Sequence, residues 1–127
     1  MKLRIKGNSL RLRVSRSELA SFLRGERVED TVHFATTPGA RLTYALECAS
    51  LPVPVKVRYE AQSVTIQLSE VQASVWGEET EVGVYTSVEI GGGCSLEIIV
   101  EKDFACLDRS DEDNTDTFAN PHSEAVC

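Results

Sequence analysis

Alternation of apolar and polar residues dominates the first fifteen positions of the chain. Leu3 and Ile5 alternate with basic residues, a Gly-Asn-Ser turn follows, and a second alternating run extends from Leu10 to Val14. Because successive residues of a strand face opposite sides of a sheet, a period of two predicts half-buried strands. Two such runs joined by turn residues predict a β-hairpin, and they limit the chain to a mainly β fold.

A short helix is predicted directly after this hairpin. Ser15 begins the sequence S-R-S-E, a capping box in which Ser15 and Glu18 satisfy free amides of the first helical turn. Leu19, Phe22 and Leu23 then supply an apolar face at helical spacing, and a glycine two residues later ends the segment. Further alternation predicts a strand led by Val32 and Phe34 and another through Leu42, Tyr44 and Leu46.

The same order of elements recurs in the second half. Alternating runs cover residues 55–59 and 64–68, Ser69 caps a short segment that ends at Gly77, and two more strands flank a turn at Gly91 to Gly93. Ser9 aligns with Ser63, Ser15 with Ser69 and Glu47 with Glu101, each at an offset of 54 positions, whereas Gly25 aligns with Gly77 at an offset of 52. A nearly constant offset through several elements indicates an internal repeat.

These observations predict one mainly β (α+β) domain, a pseudo-symmetric barrel of two hairpin-helix-hairpin repeats. The repeats cover residues 1–47 and 55–101, the barrel residues 1–107, and a partly ordered acidic tail residues 108–127. One unit of about 45 residues buries too little apolar surface to fold alone and leaves its sheet edges open. In the barrel, Leu3, Ile5, Leu10, Leu12 and Val14 face Val57, Tyr59, Val64, Ile66 and Leu68. Two unrelated hairpins with similar turns remain the alternative.

Charge is distributed unevenly along the 127 residues. The chain has 13 Lys and Arg against 20 Asp and Glu, a formal charge of −7, which argues against a general affinity for nucleic acid. No apolar run approaches the ~20 residues that span a bilayer, and the first residues lack the apolar stretch of a signal peptide. We therefore expect a cytoplasmic protein without membrane contact, in which any contact with nucleic acid is local.

Basic residues cluster on one side of the first hairpin and continue into the predicted helix. The candidate residues for binding an anion or nucleic acid are Lys2, Arg4, Lys6, Arg11, Arg13 and Arg16. Like charges on neighbouring strands repel one another unless acids or an anion neutralise them. Two explanations stay open: internal neutralisation by Asp103, Asp108 or Asp111, and an external anionic ligand or partner.

Metal and catalytic motifs are weak in this sequence. The four cysteines form no C-x-x-C pair, so free thiols are expected, and only Cys106, His122 and Cys127 remain as a candidate metal site. The acidic run from Asp108 to Asp116 lacks the spacing and the glycine of an EF-hand loop. No Ser or Cys nucleophile stands in a recognisable setting. We expect no cofactor and no enzymatic activity.

The first hairpin resembles a known DNA-binding fold. The run K-G-N-S-L-R-L-R-V from Lys6 to Val14, with the short helix and strand after it, is similar to the AbrB/MazE-type swapped-hairpin family. Members usually build their barrel from two chains, so the resemblance implies a pseudo-dimer within one chain. The Ile-Pro junction of the family is absent here. In addition, Thr65 and Gln67 stand where the first half has Arg11 and Arg13, which leaves one basic half.

A second resemblance covers most of the chain. The start K-x-R-I-K-G-N-S and the ending V-E-K-D-F-x-C-L are similar to a family of small bacterial proteins of unknown function. This resemblance implies a shared fold and names no activity.

Three functions follow from these patterns, in order of preference. The first is a non-enzymatic binding or regulatory module. The second is an AbrB/MazE-like DNA-binding regulator of the antitoxin type, whose basic hairpin contacts phosphate while the acidic tail contacts a protein partner. The third is a metal protein or enzyme that uses the C-terminal acidic, Cys and His residues.

Overall fold

The computed structural model describes residues 1–104 and 116–119, and within them the protein is mainly β. Its elements in chain order are β1 (Lys2–Ile5), β2 (Ser9–Val14), α1 (Arg16–Leu23), β3 (Val28–His33), β4 (Arg41–Ala49), β5 (Val55–Glu60), β6 (Ser63–Ser69), α2 (Glu70–Trp76), β7 (Gly83–Gly91) and β8 (Cys94–Lys102). Neither helix in this described part has the length and apolar character needed to cross a membrane.

The predicted helix signals are confirmed. The Glu18 amide donates to Ser15 Oγ at 3.3 Å, and the Ser15 amide donates to the Glu18 carboxylate at 2.9 Å, so the capping box is complete. Gly25 follows the last turn of α1 with a φ of +88°, a left-handed conformation that favours glycine. In the second half, Ser69 caps α2 by accepting the Gln72 amide at 3.1 Å.

The eight strands form two four-stranded sheets. Sheet A has the order β1-β2-β8-β7, and sheet B has the order β3-β4-β6-β5. The outer pairs of each sheet are antiparallel hairpins, whereas the central pairs, β2 with β8 and β4 with β6, are parallel. Each sheet therefore joins one hairpin from before Leu51 to one hairpin from after it.

One hydrophobic core lies between the two sheets and the two helices. Phe22 of α1 and Trp76 of α2 are fully buried and meet edge to face, with ring centroids 5.7 Å apart. The buried cluster consists of Leu12, Val14, Leu19, Phe22, Val28, Leu46, Val55, Ile66, Leu68, Ala73, Trp76, Val84, Ile98 and Val100. Since both halves contribute to this cluster, neither half has a core of its own.

The prediction of a closed barrel is wrong for the described strands. Closure requires a backbone ladder between the edges of the sheets. Instead, β1 and β7 end sheet A, and β3 and β5 end sheet B. Where β1 begins, the Met1 amino group forms ion pairs with Glu18 and with Asp30 of β3. At this end of β1, ion pairs therefore occupy the place where a barrel would have backbone hydrogen bonds between β1 and another strand.

Two apolar residues expected in the core are exposed. Ile5 is 60% exposed and Tyr59 is 71% exposed. Both lie near the ends of edge strands, β1 and β5, which pair with a neighbouring strand on one side only. The strand expected around Val32 and Phe34 starts earlier, at Val28, and ends before Phe34.

A charge cluster fixes the end of β1 against α1 and β3. The Met1 amino group donates to Glu18 at 2.6 Å and to Asp30 at 3.0 Å, and the Tyr44 hydroxyl donates to the Met1 carbonyl at 3.3 Å. Burial alone lowers the pKa of the Met1 amino group, but its bonds to Glu18 and Asp30 raise that pKa above the ordinary value. Burial alone raises the pKa of Glu18, but the bonds from Met1 and Ser15 lower it overall.

These two shifts predict a bell-shaped dependence of stability on pH. The depressed pKa of Glu18 gives stabilisation that is present above its unfolded pKa and lost as pH falls through its folded pKa. The raised pKa of Met1 gives stabilisation that is present below its unfolded pKa and lost as pH rises through its folded pKa. Glu18→Gln should cost about 1–2 kcal/mol near pH 6 and flatten both flanks, as measured by urea unfolding. Equal pH profiles for the variant and the wild type would contradict this assignment.

Candidate anion-binding face

Five basic residues lie together on the outer surface of β1 and β2, which we call the basic face. Leu12 and Val14 of β2 are fully buried, so the intervening Arg11 and Arg13 face outward. The register of the hairpin sets Arg4 opposite Arg11 and Lys2 opposite Arg13. The basic face consists of Lys2, Arg4, Lys6, Arg11 and Arg13. Two like-charged pairs therefore stand directly across one hairpin, an arrangement that destabilises a sheet unless other charges compensate.

Two carboxylates neutralise part of this face. Lys2 Nζ lies 3.0 Å from Asp103, as the internal-neutralisation hypothesis expected. Glu101 of β8 lies 2.9 Å from Arg13 Nε and 3.4 Å from Arg11 Nε. The sequence reasoning did not identify Glu101, because the parallel pairing that places it opposite Arg13 is a long-range contact. Since Glu101 carries one charge and faces two guanidinium groups, it leaves one positive charge in excess.

The remaining cations line a shallow hollow of about 120 Å³. Its lining residues are Arg4, Lys6, Ser9, Arg11 and Ile99. Neither Arg4 nor Lys6 forms an ion pair with any residue in the described part of the chain. The hollow thus brings together three of the six predicted anion-binding residues.

Arg11 has the most constrained position in this hollow. Its Nε atom is buried and lacks a hydrogen-bond acceptor among the described residues, although Glu101 lies within ion-pair distance. An unsatisfied buried donor on a charged group is costly and rare in native structures. Glu101 accepts a hydrogen bond from Arg13 and serves Arg11 as a counter-ion without a hydrogen bond to its Nε atom.

Tyr85 of β7, the edge strand opposite β1, lies on the same outer surface of sheet A as the basic face. Tyr85 pairs with Ile99, and Ile99 pairs with Arg11. The Tyr85 hydroxyl lies 3.4 Å from the Glu101 carboxylate. Burial and the charge of Glu101 raise the pKa of Tyr85, while Arg11 and Arg13 act in the opposite direction. The sequence predicts a strand at this position but not the strands beside it, so it does not place Tyr85 near the cations.

Arg16, the remaining predicted anion-binding residue, does not join this cluster. Arg16 is the first residue of α1, where its amide donates to the Asp116 carbonyl at 3.1 Å. Cys106, His122, Cys127, Asp108 and Asp111 lie outside the described residues, so the candidate metal site and part of the neutralisation hypothesis stay predictions. Within residues 1–104 and 116–119, no group of His, Cys, Asp and Glu side chains is arranged to hold a metal ion.

Lys102 is next to Glu101 at the end of β8, but its side chain is buried. Its Nζ donates to the Glu78 carbonyl at 2.7 Å, and it lies over the ring of Phe118. Burial lowers the pKa of Lys102, and the charges of Glu81 and Glu79 partly oppose that effect. Lys102 therefore connects the end of α2 to the C-terminal segment and takes no part in the candidate site.

On the corresponding outer surface of sheet B, the basic residues Lys56 and Arg58 of the edge strand β5 lie opposite Gln67 and Thr65 of β6. Thr65 and Gln67, at the positions that match Arg11 and Arg13, are both nearly buried. Arg27 crosses this surface and donates to Glu47 at 2.6 Å and to the Thr65 hydroxyl at 3.1 Å. Its charge is therefore satisfied within the protein, and the directly opposed pairs of cations across a hairpin are specific to sheet A.

Comparison with known proteins shows the family of this chain but gives no activity for it. The family described as "Family of unknown function (DUF7009)" matches residues 1–122, so the protein belongs to that family. This confirms the predicted membership in a family of unknown function. No curated protein and no solved structure gives a match. The resemblance to the AbrB/MazE fold accordingly stays a prediction.

Gly83 controls the position of Tyr85, and its replacement tests this geometry. A Cβ at Gly83 would lie 2.8 Å from the Val100 carbonyl oxygen, 2.9 Å from Glu101 Cβ and 3.1 Å from the Tyr85 hydroxyl. Gly83→Ala should therefore lower the free energy of unfolding by about 1–3 kcal/mol. Gly39→Ala is the matched control, because a Cβ there meets nothing within 4 Å. Equal urea midpoints for the two variants would show that β7 and β8 are not this close.

Proposed function

We propose that this protein is a non-enzymatic binding module that holds a phosphate-class anion on the basic face of sheet A. One observation carries the proposal: Arg4, Lys6 and Arg11 line a single hollow, and Glu101, which Arg13 shares, is the one carboxylate of the described residues within ion-pair distance of any of them. An anion in the hollow supplies the missing negative charge. It also relieves the repulsion between the directly opposed Arg4 and Arg11.

The residue types suit such a ligand. Guanidinium groups bind phosphate through paired, charge-assisted hydrogen bonds, and a lysine adds a compact point charge. The net charge of −7 means that the attraction acts locally at this face and not across the whole surface. This combination favours a ligand recognised at one place over general adhesion to polyanions. We also propose that the protein is cytoplasmic and has a regulatory role.

A DNA-binding regulator of the AbrB/MazE type is the second candidate. The strand orders support its internal duplication, because exchanging the halves turns β1-β2-β8-β7 into β5-β6-β4-β3, which is sheet B read backwards. Against twofold DNA recognition stand Thr65 and Gln67, which give sheet B no basic residues to match Arg11 and Arg13. A twofold reader needs phosphate contacts from both halves. In this second candidate function, the acidic tail binds a protein partner.

Inorganic tripolyphosphate tests the proposed function. Arg4→Gln and Lys6→Gln should each weaken its binding by about three- to tenfold at low salt, since each removes one cation from the hollow. Arg58→Gln and Lys56→Gln are matched controls, because they remove the same charges from β5, the edge strand of sheet B. Calorimetric titration at two salt concentrations gives both affinity and salt dependence. Equal losses in all four variants would reduce the effect to net charge and overturn the proposal.

Internal neutralisation by the acidic tail is the competing explanation, and the same assay distinguishes it. If Asp108 and Asp111 already occupy the basic face, replacing both with Asn should raise the affinity for tripolyphosphate about tenfold or more. Under our proposal the affinity changes less than about threefold, because the two charges act only at long range. A tenfold gain, or no binding by the wild-type chain, would contradict the proposal.

A further inference from the structure

A single row of side chains crosses the outer surface of sheet A from cations to an aromatic ring. The register places Arg4 of β1 opposite Arg11 of β2, Arg11 opposite Ile99 of β8, and Ile99 opposite Tyr85 of β7. Adjacent strands are about 4.8 Å apart, so Tyr85 lies roughly 10 Å from Arg11 across the sheet. The positive hollow and the aromatic ring therefore belong to one continuous surface.

The ring of Tyr85 lies along the sheet instead of standing away from it. Gly83, two residues earlier, is on the same face, and a Cβ built there would come within 3.1 Å of the Tyr85 hydroxyl. The hydroxyl also reaches the Glu101 carboxylate at 3.4 Å. The ring must extend from Tyr85 over Gly83, where the absence of a side chain leaves room. Because Tyr85 is 60% exposed, a broad surface of the ring is open to solvent.

Charge divides this surface into two sides. The cations of the hollow lie on β1 and β2, while Glu97 of β8 lies in the next row, between Ser9 and Ser87. Glu97 is one strand away from both Ser9 of the hollow and Ser87 of β7, so it restricts phosphate to the β1 side of the hollow and tolerates an uncharged ring on β7. The surface therefore fits a ligand with negative charge at one end and a flat, neutral aromatic group at the other.

The size of the hollow favours a polymer over a small molecule. Sites that enclose small ligands usually have volumes of about 300–1,000 Å³, whereas this hollow has about 120 Å³. A free nucleotide would remain largely in solvent here and gain few contacts. A strand that passes across the surface places the phosphate of one nucleotide in the hollow and the base of another on Tyr85, and these two kinds of contact are the ones that open, sequence-tolerant nucleic-acid surfaces use.

We propose that sheet A binds single-stranded nucleic acid, with backbone phosphate at Arg4, Lys6 and Arg11 and a base stacked on Tyr85. This inference rests on the proposed function, because it assigns the anion to a nucleic-acid backbone. A duplex keeps its bases paired and stacked inside, so it cannot offer a base to Tyr85. The charge of −7 limits the interaction to this surface.

The test uses the full chain and a fluorescent thymidine oligonucleotide of about eight residues. Tyr85→Leu should weaken oligonucleotide binding by about tenfold, because stacking on an aromatic side chain is lost. Its affinity for tripolyphosphate should stay within about twofold of the wild type, because the cations remain. Tyr59→Leu is the matched control, since Tyr59 is an even more exposed tyrosine on sheet B, and it should change neither affinity.

Tyr85→Phe separates stacking from loss of structure. It keeps the ring and removes only the contact with Glu101, so oligonucleotide binding should remain within about threefold of the wild type. A duplex of the same length and thymidine monophosphate should both bind at least about tenfold more weakly than the single strand, in agreement with the inference.

The possible failures are distinguishable. If the wild-type chain binds tripolyphosphate but not the oligonucleotide, or if Tyr85→Leu leaves oligonucleotide binding unchanged, this inference is overturned and the proposed function stands. Equal losses for both ligands in Tyr85→Leu, or a duplex or monophosphate that binds as tightly as the single strand, would also overturn it. If the wild-type chain does not bind tripolyphosphate, the proposed function falls, and this inference falls with it.

Discussion

Two parallel strand pairs hold this protein together, β2 with β8 and β4 with β6. Each pair is the centre of a sheet, and each joins a strand from before Leu51 to one from after it. An isolated two-stranded hairpin is at best marginally stable in water, and an unpaired edge invites association with other chains. The parallel pairs remove both problems together, because they turn four hairpins into two sheets that share one core.

The candidate site depends on the same pairing. The first half supplies Arg4 and Arg11, whereas Glu101 and Tyr85 come from the second half. Only the parallel contact between β2 and β8 places these groups on one surface. The opposed cations also distinguish the two sheets, because Thr65 and Gln67 of sheet B stand opposite Arg58 and Lys56, where sheet A has Arg11 and Arg13 opposite Arg4 and Lys2. The stability of the fold and the proposed anion binding therefore depend on the same pair of strands.

Local features of the sequence predicted local structure well. The hairpins follow from period-two alternation, and the capping box at Ser15 follows from a four-residue pattern, since both depend on neighbouring residues. The registers of the parallel strand pairs are harder to predict from the sequence, because paired residues such as Arg13 and Glu101 are 88 positions apart. For that reason the basic cluster was predicted, but its counter-ion Glu101 and its aromatic neighbour Tyr85 were not. The barrel prediction failed because edge pairing is decided by contacts at the sheet corners that no alternation pattern specifies.

Native-state hydrogen exchange tests most directly whether the halves form a single cooperative unit. Our account predicts that the slowest amides of β2 and β4 open with the same free energy as those of β6 and β8, within about 1 kcal/mol. Leu12→Ala, which opens a cavity beside β8, should lower all four values together by about 2–5 kcal/mol. If the variant reduces protection only in residues before Leu51, and β6 and β8 keep theirs, the halves fold independently and the account is contradicted.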